Sequence, residues 1–386
     1  AMMLRPLGLL SVLGTASAML SRNGAVNRRA AAVSARSMAA KAHTALDEND
    51  NQGRFVRTEA GFRNWIEDGG EFAPEAGRYI LYISYACPWA NRCLAVRNLK
   101  GLQDTIALSV VHPTWARTRP DNPEDAHTGW QFRAPDDPPV SSSTGMGSFG
   151  CEGCIPDPCN GARFVRDLYE LSQDTTGKYS VPVLWDKKTG RIVNNESSEI
   201  IKMLNSRFNG FATNPELDLD PADLQDAQAE VDAWIYPNIN NGVYRSGFAK
   251  TQLAYDEAVT DLGNALDRLE ALLGTQRYVA GDRLTLSDIR LFMTLVRYDE
   301  VYVVYFKTNL GFLASEKYPN IRQYCREMYQ LPGMPDAINM DHIKTHYFTS
   351  HPIWNHFAIV PRGPGALTDM AQPHNRAEVF PAGASA

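Results

Sequence analysis

The sequence predicts an α/β domain followed by an all-α domain, and three observations support this prediction. An apolar and aromatic run at 79–85 is typical of a buried strand, and the segments after it alternate between helical and strand patterns as far as about residue 204. From about Ala222 onward the strong hydrophobic periods are helical, as in Leu262, Leu266 and Leu269. The segment 215–221, bounded by two prolines, is expected to link the halves.

The elements of the first half follow a recognisable order. They are expected at 79–85 (strand), 89–99 (helix), 105–111 (strand), 164–171 (helix), 181–186 with 191–193 (a hairpin) and 195–204 (helix). This is the thioredoxin-like order, so residues 46–214 are predicted to form a thioredoxin-like domain. Residues 134–161 are rich in Pro, Gly and Ser, without periodicity, and are expected to be a surface insertion. Residues 222–364 are predicted to be all-helical, and 365–386 a tail.

Composition and charge exclude several classes of function. The chain has 386 residues, 44% of them hydrophobic, and a formal net charge of −6. A nucleic-acid-binding protein is not expected, since such proteins carry a basic surface. A membrane span is not expected either, because no apolar run reaches the roughly 18–20 residues that a bilayer requires.

The first 45 residues differ in character from the rest. They carry arginines and a lysine, are dominated by Ala and Ser, and contain no acid before Asp47. This balance predicts a targeting or disordered segment at 1–45, with a mitochondrial or plastid address favoured. The apolar stretch before residues 16–18 leaves a secretory signal open.

Cys87 is the candidate nucleophile, because it stands between the predicted strand and the helix that Pro88 opens. A thiol at a helix N-terminus faces unpaired N–H groups and the positive end of the dipole, so its pKa is expected to lie below about 8.5. Ala90 occupies the position where a second cysteine would complete a dithiol pair. The site therefore has a single thiol, and its oxidised form needs a thiol from solution. A buried, inert cysteine is the alternative.

Two further segments favour a functional site. In thioredoxin-like proteins a proline placed like Pro182 is cis, which leaves the backbone of Val181 free to pair with a peptide-like ligand. Glu196 and Ser197 then open a helix, where a hydroxyl and first-turn amides suit a carboxylate and the acid suits an ammonium. This combination describes the γ-glutamyl end of glutathione. A plain capping box is the alternative for the second segment.

Longer motifs extend the comparison to a family. The chain resembles the glutathionyl-hydroquinone reductases, the Xi-class glutathione transferases, from about Phe55 to Pro364. The resemblance rests on residues 87–90, 112–113, 128–132, 181–186, 195–200, 236–244, 281–285, 290–292, 299–306 and 341–351. It implies an all-helical glutathione-transferase C-terminal domain, a site between the two domains and a homodimer.

The resemblance also implies a reaction and a set of site residues. The Cys87 thiolate would attack the sulfur of a glutathionyl-hydroquinone, release the hydroquinone and hold glutathione as a mixed disulfide, which a second glutathione resolves as glutathione disulfide. Glutathione is thus expected as co-substrate. The glutathione-binding residues would be Trp130, Lys178, Val181, Glu196 and Ser197. The substrate site would contain Tyr244, Tyr302 and Tyr347, with Cys87 and Tyr244 catalytic.

Other functions, and a metal site, are also compatible with parts of the sequence. A general deglutathionylase or dehydroascorbate reductase, a transferase that adds glutathione to electrophiles, and a non-catalytic ligand-binding scaffold remain alternatives. Three cysteines in the insertion, Cys151, Cys154 and Cys159, have no evident fourth ligand. The histidines at 342, 346, 351 and 356 lack an H-E-x-x-H pattern and are expected to be structural or to lie at a dimer contact. No metal is expected.

Overall fold

The computed structural model describes residues 41–381. Most of the predicted targeting segment, residues 1–40, and the end of the predicted tail, residues 382–386, lie outside the described residues. No helix between residues 41 and 381 combines the length and apolar character that crossing a bilayer demands.

The first half is built on a four-stranded mixed sheet. The strands along the chain are β1 (Tyr79–Ile83), β2 (Ala107–Val110), β3 (Ala116–Arg117), β4 (Thr128–Gly129), β5 (Val183–Asp186) and β6 (Arg191–Asn194). The main sheet has the order β2-β1-β5-β6, while β3 and β4 pair separately. β1 is parallel to β2 and antiparallel to β5, so Leu81 lies between Leu108 and Leu184. All five residues of β1 are buried, as its unbroken apolar pattern predicts for a central strand.

Helices complete the first half and form the whole of the second. They are α1 (Pro88–Leu99), α2 (Val165–Leu171), α3 (Ser197–Ser206), α4 (Gln225–Ile235), α5 (Gly242–Gly247), α6 (Gln252–Leu273), α7 (Leu286–Arg297), α8 (Pro319–Tyr329), α9 (Met340–Thr349), α10 (Ala366–Met370) and α11 (Arg376–Val379). Two π-helical segments, Tyr236–Asn240 and Tyr298–Tyr302, follow α4 and α7 directly. The predicted fold class, a thioredoxin-like domain followed by an all-helical domain, is confirmed.

Helix α1 lies between the two halves. It packs against α3 of the first half and α7 of the second, and all of its residues except Trp89 are buried. Two of its buried polar side chains have partners: Nε of Arg97 donates to the carbonyl of Ile106, and the Asn91 amide donates to the carbonyl of Ala337. The helix that Cys87 precedes is therefore fixed from both sides, because a buried polar group without a partner is costly.

The insertion at 134–161 forms no helix or named strand but is tied to the sheet. Ile155 exchanges backbone hydrogen bonds with Val110 of β2, which covers the edge of the sheet. Cys151 and Cys154 are buried, whereas Cys159 is exposed. The carbonyl of Glu152 accepts a 2.6 Å hydrogen bond from His342 on α9, so the insertion reaches the helical half.

The described part of the predicted tail, residues 365–381, packs on the helical half and forms α10 and α11. Asp369 pairs with both Arg322 and Arg326 on α8. Arg376 is 2% exposed and donates to the carbonyl of Leu273 at 2.6 Å. The ion pairs of Asp369 and the hydrogen bond of Arg376 thus attach this segment to the helical half.

Candidate active site

Cys87 lies where strand β1 passes into helix α1. It is the residue immediately before the helix, with Pro88 at the first helical position, and its side chain is partly exposed. The thiol donates a 3.4 Å hydrogen bond to the carbonyl of Val181. The sulfur therefore lies beside the loop that precedes β5.

The expected depression of the Cys87 pKa is wrong for the site as described. Burial is the largest influence and raises the pKa of the Cys87 thiol above its ordinary value. The first-turn N–H groups of Ala90 and Trp89 and the charges of Arg297 and Arg57 act in the opposite direction. The sulfur makes no capping hydrogen bond of normal geometry to the helix, so the benefit of the N-terminus is smaller than the sequence suggests.

Three tyrosines from the helical half converge beside Cys87. The phenol oxygens of Tyr244 and Tyr347 are 2.5 Å apart, and those of Tyr302 and Tyr347 are 3.3 Å apart. The charge of Cys87 contributes to the raised pKa of both Tyr244 and Tyr302, although burial contributes most. The structure brings together the three tyrosines that the resemblance implies. Their raised pKa values keep them protonated, and hence able to donate, at neutral pH.

Trp89 joins the tyrosines to the helix of the nucleophile. Its ring meets that of Tyr244 edge-on at a centroid distance of 4.9 Å. Phe306 stacks on Tyr302 at 5.2 Å and also meets Tyr244, so the substrate side of the site is lined by aromatic rings. Such a surface suits a planar aromatic substrate.

The peptide bond between Val181 and Pro182 is cis, as expected from the sequence. The carbonyl of Val181 accepts the Cys87 hydrogen bond, and the Val181 N–H has no backbone partner within residues 41–381. The backbone here is available to pair with an extended ligand.

Glu196 and Ser197 lie at the start of α3, but their roles differ from a plain capping box. Glu196 is the N-cap, and its carboxylate accepts from both the N–H and the hydroxyl of Ser198, each at 2.9 Å. Ser197 is the first helical residue, and its hydroxyl lies 3.4 Å from the guanidinium of Arg92. Arg92 is 2% exposed, and its Nε has no hydrogen-bond partner among residues 41–381. This end of the helix thus combines the Ser197 hydroxyl with a buried cation at a helix N-terminus, which suits a carboxylate.

Lys178 is already engaged within the protein. Its ammonium donates to the carboxylate of Glu48 at 2.6 Å and to the hydroxyl of Thr58 at 2.9 Å. Burial lowers the pKa of Lys178, which Glu48 partly offsets. Its assignment to glutathione remains a prediction.

Trp130 is buried and stacked on a histidine of the helical half. Its ring lies 4.4 Å from that of His346, nearly parallel, and it meets Trp115 at a right angle. The contact of Trp130 with glutathione remains a prediction. Through its contact with His346, Trp130 connects the first half to α9, the helix that carries Tyr347.

Sequence reasoning missed two arginines beside the nucleophile. Arg57 lies over the Trp89 ring at 4.0 Å and donates to Asn241, and one of its terminal nitrogens is buried without a partner in the described part of the chain. Arg297 is wholly buried and donates to the carbonyls of Tyr85 and Ala86. Neither residue belongs to a local motif of Cys87, so only the tertiary fold reveals them.

Two of the histidines that the sequence singles out make contacts within the protein. His346 lies 2.9 Å from the carbonyl of Pro113, and His351 lies 3.0 Å from the hydroxyl of Tyr305. Within residues 41–381, no group of three His, Cys, Asp or Glu side chains is arranged to hold a metal ion.

Comparison with known proteins places these features in a family context. The chain matches the model described as glutathione S-transferase, N-terminal domain, over residues 86–207, and the model of the C-terminal domain over residues 252–327. It is 41% identical to the glutathionyl-hydroquinone reductase YqjG of Escherichia coli over 342 residues, which covers 86% of this chain and 95% of that protein.

Solved structures agree with the sequence relatives. The Xi glutathione S-transferase of Phanerochaete chrysosporium is 47% identical, with a TM-score of 0.73 over 82% of this chain and 95% of that chain. The glutathione-bound structure of YqjG from Escherichia coli is 40% identical, with a TM-score of 0.72 over 82% and 96% of the two chains.

The buried histidine under Trp130 generates a prediction about acid stability. Burial lowers the pKa of His346 to about 3, whereas the unfolded chain protonates this group near pH 6.5. Between these values the unfolded state binds the proton and the folded state does not, so stability falls as the pH falls. From pH 6.5 to 5.5, His346 should lower the free energy of unfolding by roughly 1 kcal/mol.

Thermal unfolding followed by circular dichroism between pH 7.5 and 5.5 measures this loss. The matched variant is His346→Asn, whose amide can donate to the Pro113 carbonyl but does not titrate. Its melting temperature should depend less on pH than that of the native protein. Equal pH dependence in the two proteins would contradict the prediction.

Proposed function

The chain belongs to the glutathionyl-hydroquinone reductases, the Xi class of the glutathione transferase family, and from this premise we propose that it reduces glutathionyl-hydroquinones at the sulfur of Cys87. The observation that carries the proposal is the position of this partly exposed thiol, hydrogen-bonded to Val181 on one side and facing the tyrosine cluster on the other. Glutathione is the co-substrate, as the glutathione-bound relative supports.

The first step exchanges a carbon–sulfur bond for a disulfide. The Cys87 thiolate attacks the glutathionyl sulfur, the bond between that sulfur and the ring carbon breaks, and its electron pair leaves with the ring. The ring carbon takes up a proton and becomes hydroquinone, while Cys87 is oxidised to a mixed disulfide with glutathione.

The second step regenerates the nucleophile. The thiolate of a second glutathione attacks the glutathionyl sulfur of the mixed disulfide, which releases glutathione disulfide and the Cys87 thiolate. Ala90 stands where an internal resolving cysteine would have to lie, and Cys93 is fully buried on the same helix. The chemistry of the site thus favours a thiol from solution.

The residues of the first half suit the tripeptide. The N–H and hydroxyl of Ser197, at the N-terminus of α3, and the buried Arg92 would hold the γ-glutamyl carboxylate, and Glu196 its ammonium. The free N–H of Val181 would pair with the cysteinyl part, and Trp130 and Lys178 would border the ligand. In this arrangement the ligand sulfur points toward Cys87.

The tyrosines of the second half suit the ring. The three phenols share two hydrogen bonds, one between Tyr244 and Tyr347 and one between Tyr302 and Tyr347, so one of the three phenol protons is free for a ring oxygen or the ring carbon. Because burial raises the pKa of all three phenols, they are neutral donors at physiological pH. Tyr244 is the proposed proton donor, since it lies between Trp89 and Tyr302.

The chain is further proposed to act as a homodimer. Several large apolar side chains near the end of the helical half are exposed, among them Ile353 at 80%, Ile359 at 69% and Phe357 at 66%. Such surfaces often mark protein interfaces. Light scattering should give twice the mass of one chain, and Phe357→Asp should give the mass of one.

The proposed address of the chain is a mitochondrion or plastid, on the composition of residues 1–45. A fluorescent protein fused behind these residues should accumulate in one of these organelles, and entry into the secretory route would overturn this proposal.

Replacement of Cys87 by serine tests the mechanism. Cys87→Ser should abolish hydroquinone release from a glutathionyl-hydroquinone, because an alcohol does not form the disulfide. Mass spectrometry of the native protein after one equivalent of substrate should show one glutathionyl group on the Cys87 peptide, which fresh glutathione removes. Cys93→Ser is the matched control and should retain the activity. Turnover by Cys87→Ser would refute the mechanism.

Replacement of Tyr244 by phenylalanine tests the proton donor. Tyr244→Phe keeps the ring contacts but loses the hydroxyl, so kcat should fall about 100-fold, the usual scale of general acid catalysis, with a smaller change in KM. Tyr298→Phe is the control, because Tyr298 is buried in the same region and its ring meets that of Tyr302 edge-on. Equal kcat values for the two variants would remove Tyr244 from the reaction.

A further inference from the structure

Arg297 is a buried cation without a carboxylate partner. It is the last residue of α7 and is 0% exposed. Within residues 41–381 none of the ion pairs includes it, whereas the buried Arg78 is paired with Asp186. Burial of a charge without a counter-charge destabilises the folded state. A buried guanidinium such as that of Arg297 must therefore be stabilised by hydrogen bonds, and its presence suggests a function.

The hydrogen bonds of Arg297 converge on the turn that carries the nucleophile. Its Nε donates to the carbonyl of Ala86 at 3.2 Å, and a terminal nitrogen donates to the carbonyl of Tyr85 at 2.8 Å. The guanidinium also donates to the Asn91 side chain, one turn after Cys87, and to the Met293 carbonyl of its own helix. Arg297, a residue of the helical half, thus forms hydrogen bonds with the chain both before and after Cys87.

Titratable groups from several elements interact electrostatically with Cys87. They include Arg57 from the N-terminal segment, Cys93 from α1, Tyr244 from α5, Tyr302 from the π-helical segment and Arg297 from α7. Burial raises the pKa of Cys93, Tyr244 and Tyr302, so these groups are neutral at physiological pH. Among these five groups the two arginines supply the positive charge.

We propose that Arg297 is a positioning residue for the reaction proposed above: it holds the Tyr85–Ala86 turn so that the Cys87 sulfur faces the tyrosine cluster, and its unpaired charge is the counter-charge of the thiolate. The positioning role rests on the proposed function, because it concerns the rate of that reaction. The electrostatic role concerns only the ionisation of Cys87.

The thiol titration tests the electrostatic part. The rate at which iodoacetamide modifies Cys87, followed by mass spectrometry of its peptide, rises with pH as the thiolate forms. In Arg297→Gln the midpoint should shift upward by about one pH unit, because a nearby positive charge favours the anion. In Arg297→Lys, which keeps the charge, the midpoint should stay closer to the native value.

The turnover rate tests the positioning part. Arg297→Lys lacks the planar fork that reaches two carbonyls and the Asn91 side chain, so kcat should fall about tenfold even though the charge remains. Its KM for the glutathionyl-hydroquinone should change less. An unchanged kcat in Arg297→Lys overturns the positioning role. This variant tests the positioning role even if Arg297→Gln does not fold.

Arg376→Gln is the matched control. Arg376 is also buried and donates to backbone carbonyls of the helical half, but it is not among the groups that act on Cys87. Its loss should lower the melting temperature and leave the alkylation midpoint of Cys87 unchanged. Equal midpoints in Arg297→Gln, Arg376→Gln and the native protein would overturn the electrostatic role. If the native protein reduces no glutathionyl-hydroquinone, the proposed function fails while the alkylation result still stands.

Discussion

The structure is organised around a conflict between burial and ionisation at one sulfur. Thiol–disulfide exchange requires the thiolate, and the surroundings of Cys87 disfavour an anion because they exclude water. The same exclusion of water strengthens every interaction that favours the anion. The helix N–H groups of Trp89 and Ala90 and the charges of Arg57 and Arg297 all act on this sulfur, and they come from three separate parts of the chain.

The groups that surround the sulfur come from both halves of the molecule, so neither half forms the site alone. The first half supplies the thiol, the cis-proline loop and the N-terminus of α3. The second half supplies the three phenols and the buried guanidinium. Contacts between Trp89 and Tyr244, and between Asn91 and the Ala337 carbonyl, hold the halves together next to the sulfur. Because Arg297 donates to carbonyls rather than to a carboxylate, its full charge remains available to the thiol.

Much of the fold, and part of the site, could be predicted from local sequence. The apolar run of β1, Pro88 at the first helical position and the cis Pro182 all follow from short-range chemistry. The pKa of Cys87 could not be predicted in this way, because the cost of burial depends on how the helical half packs over the helix. Arg57 and Arg297 were missed for a related reason. Each is one basic residue among 38, and only tertiary contact separates it from a solvated one.

The insertion at 134–161 is better understood as support for the site than as an appendage. Its Ile155 extends the edge of the sheet at Val110, and its Glu152 carbonyl holds His342 at the start of α9. One turn further along α9, His346 contacts the Pro113 carbonyl and stacks on Trp130. Tyr347 is the next residue, so the position of its hydroxyl depends on two attachments to the first half. The thioredoxin-like half therefore places the phenol that hydrogen-bonds Tyr244, as well as the thiol that faces it.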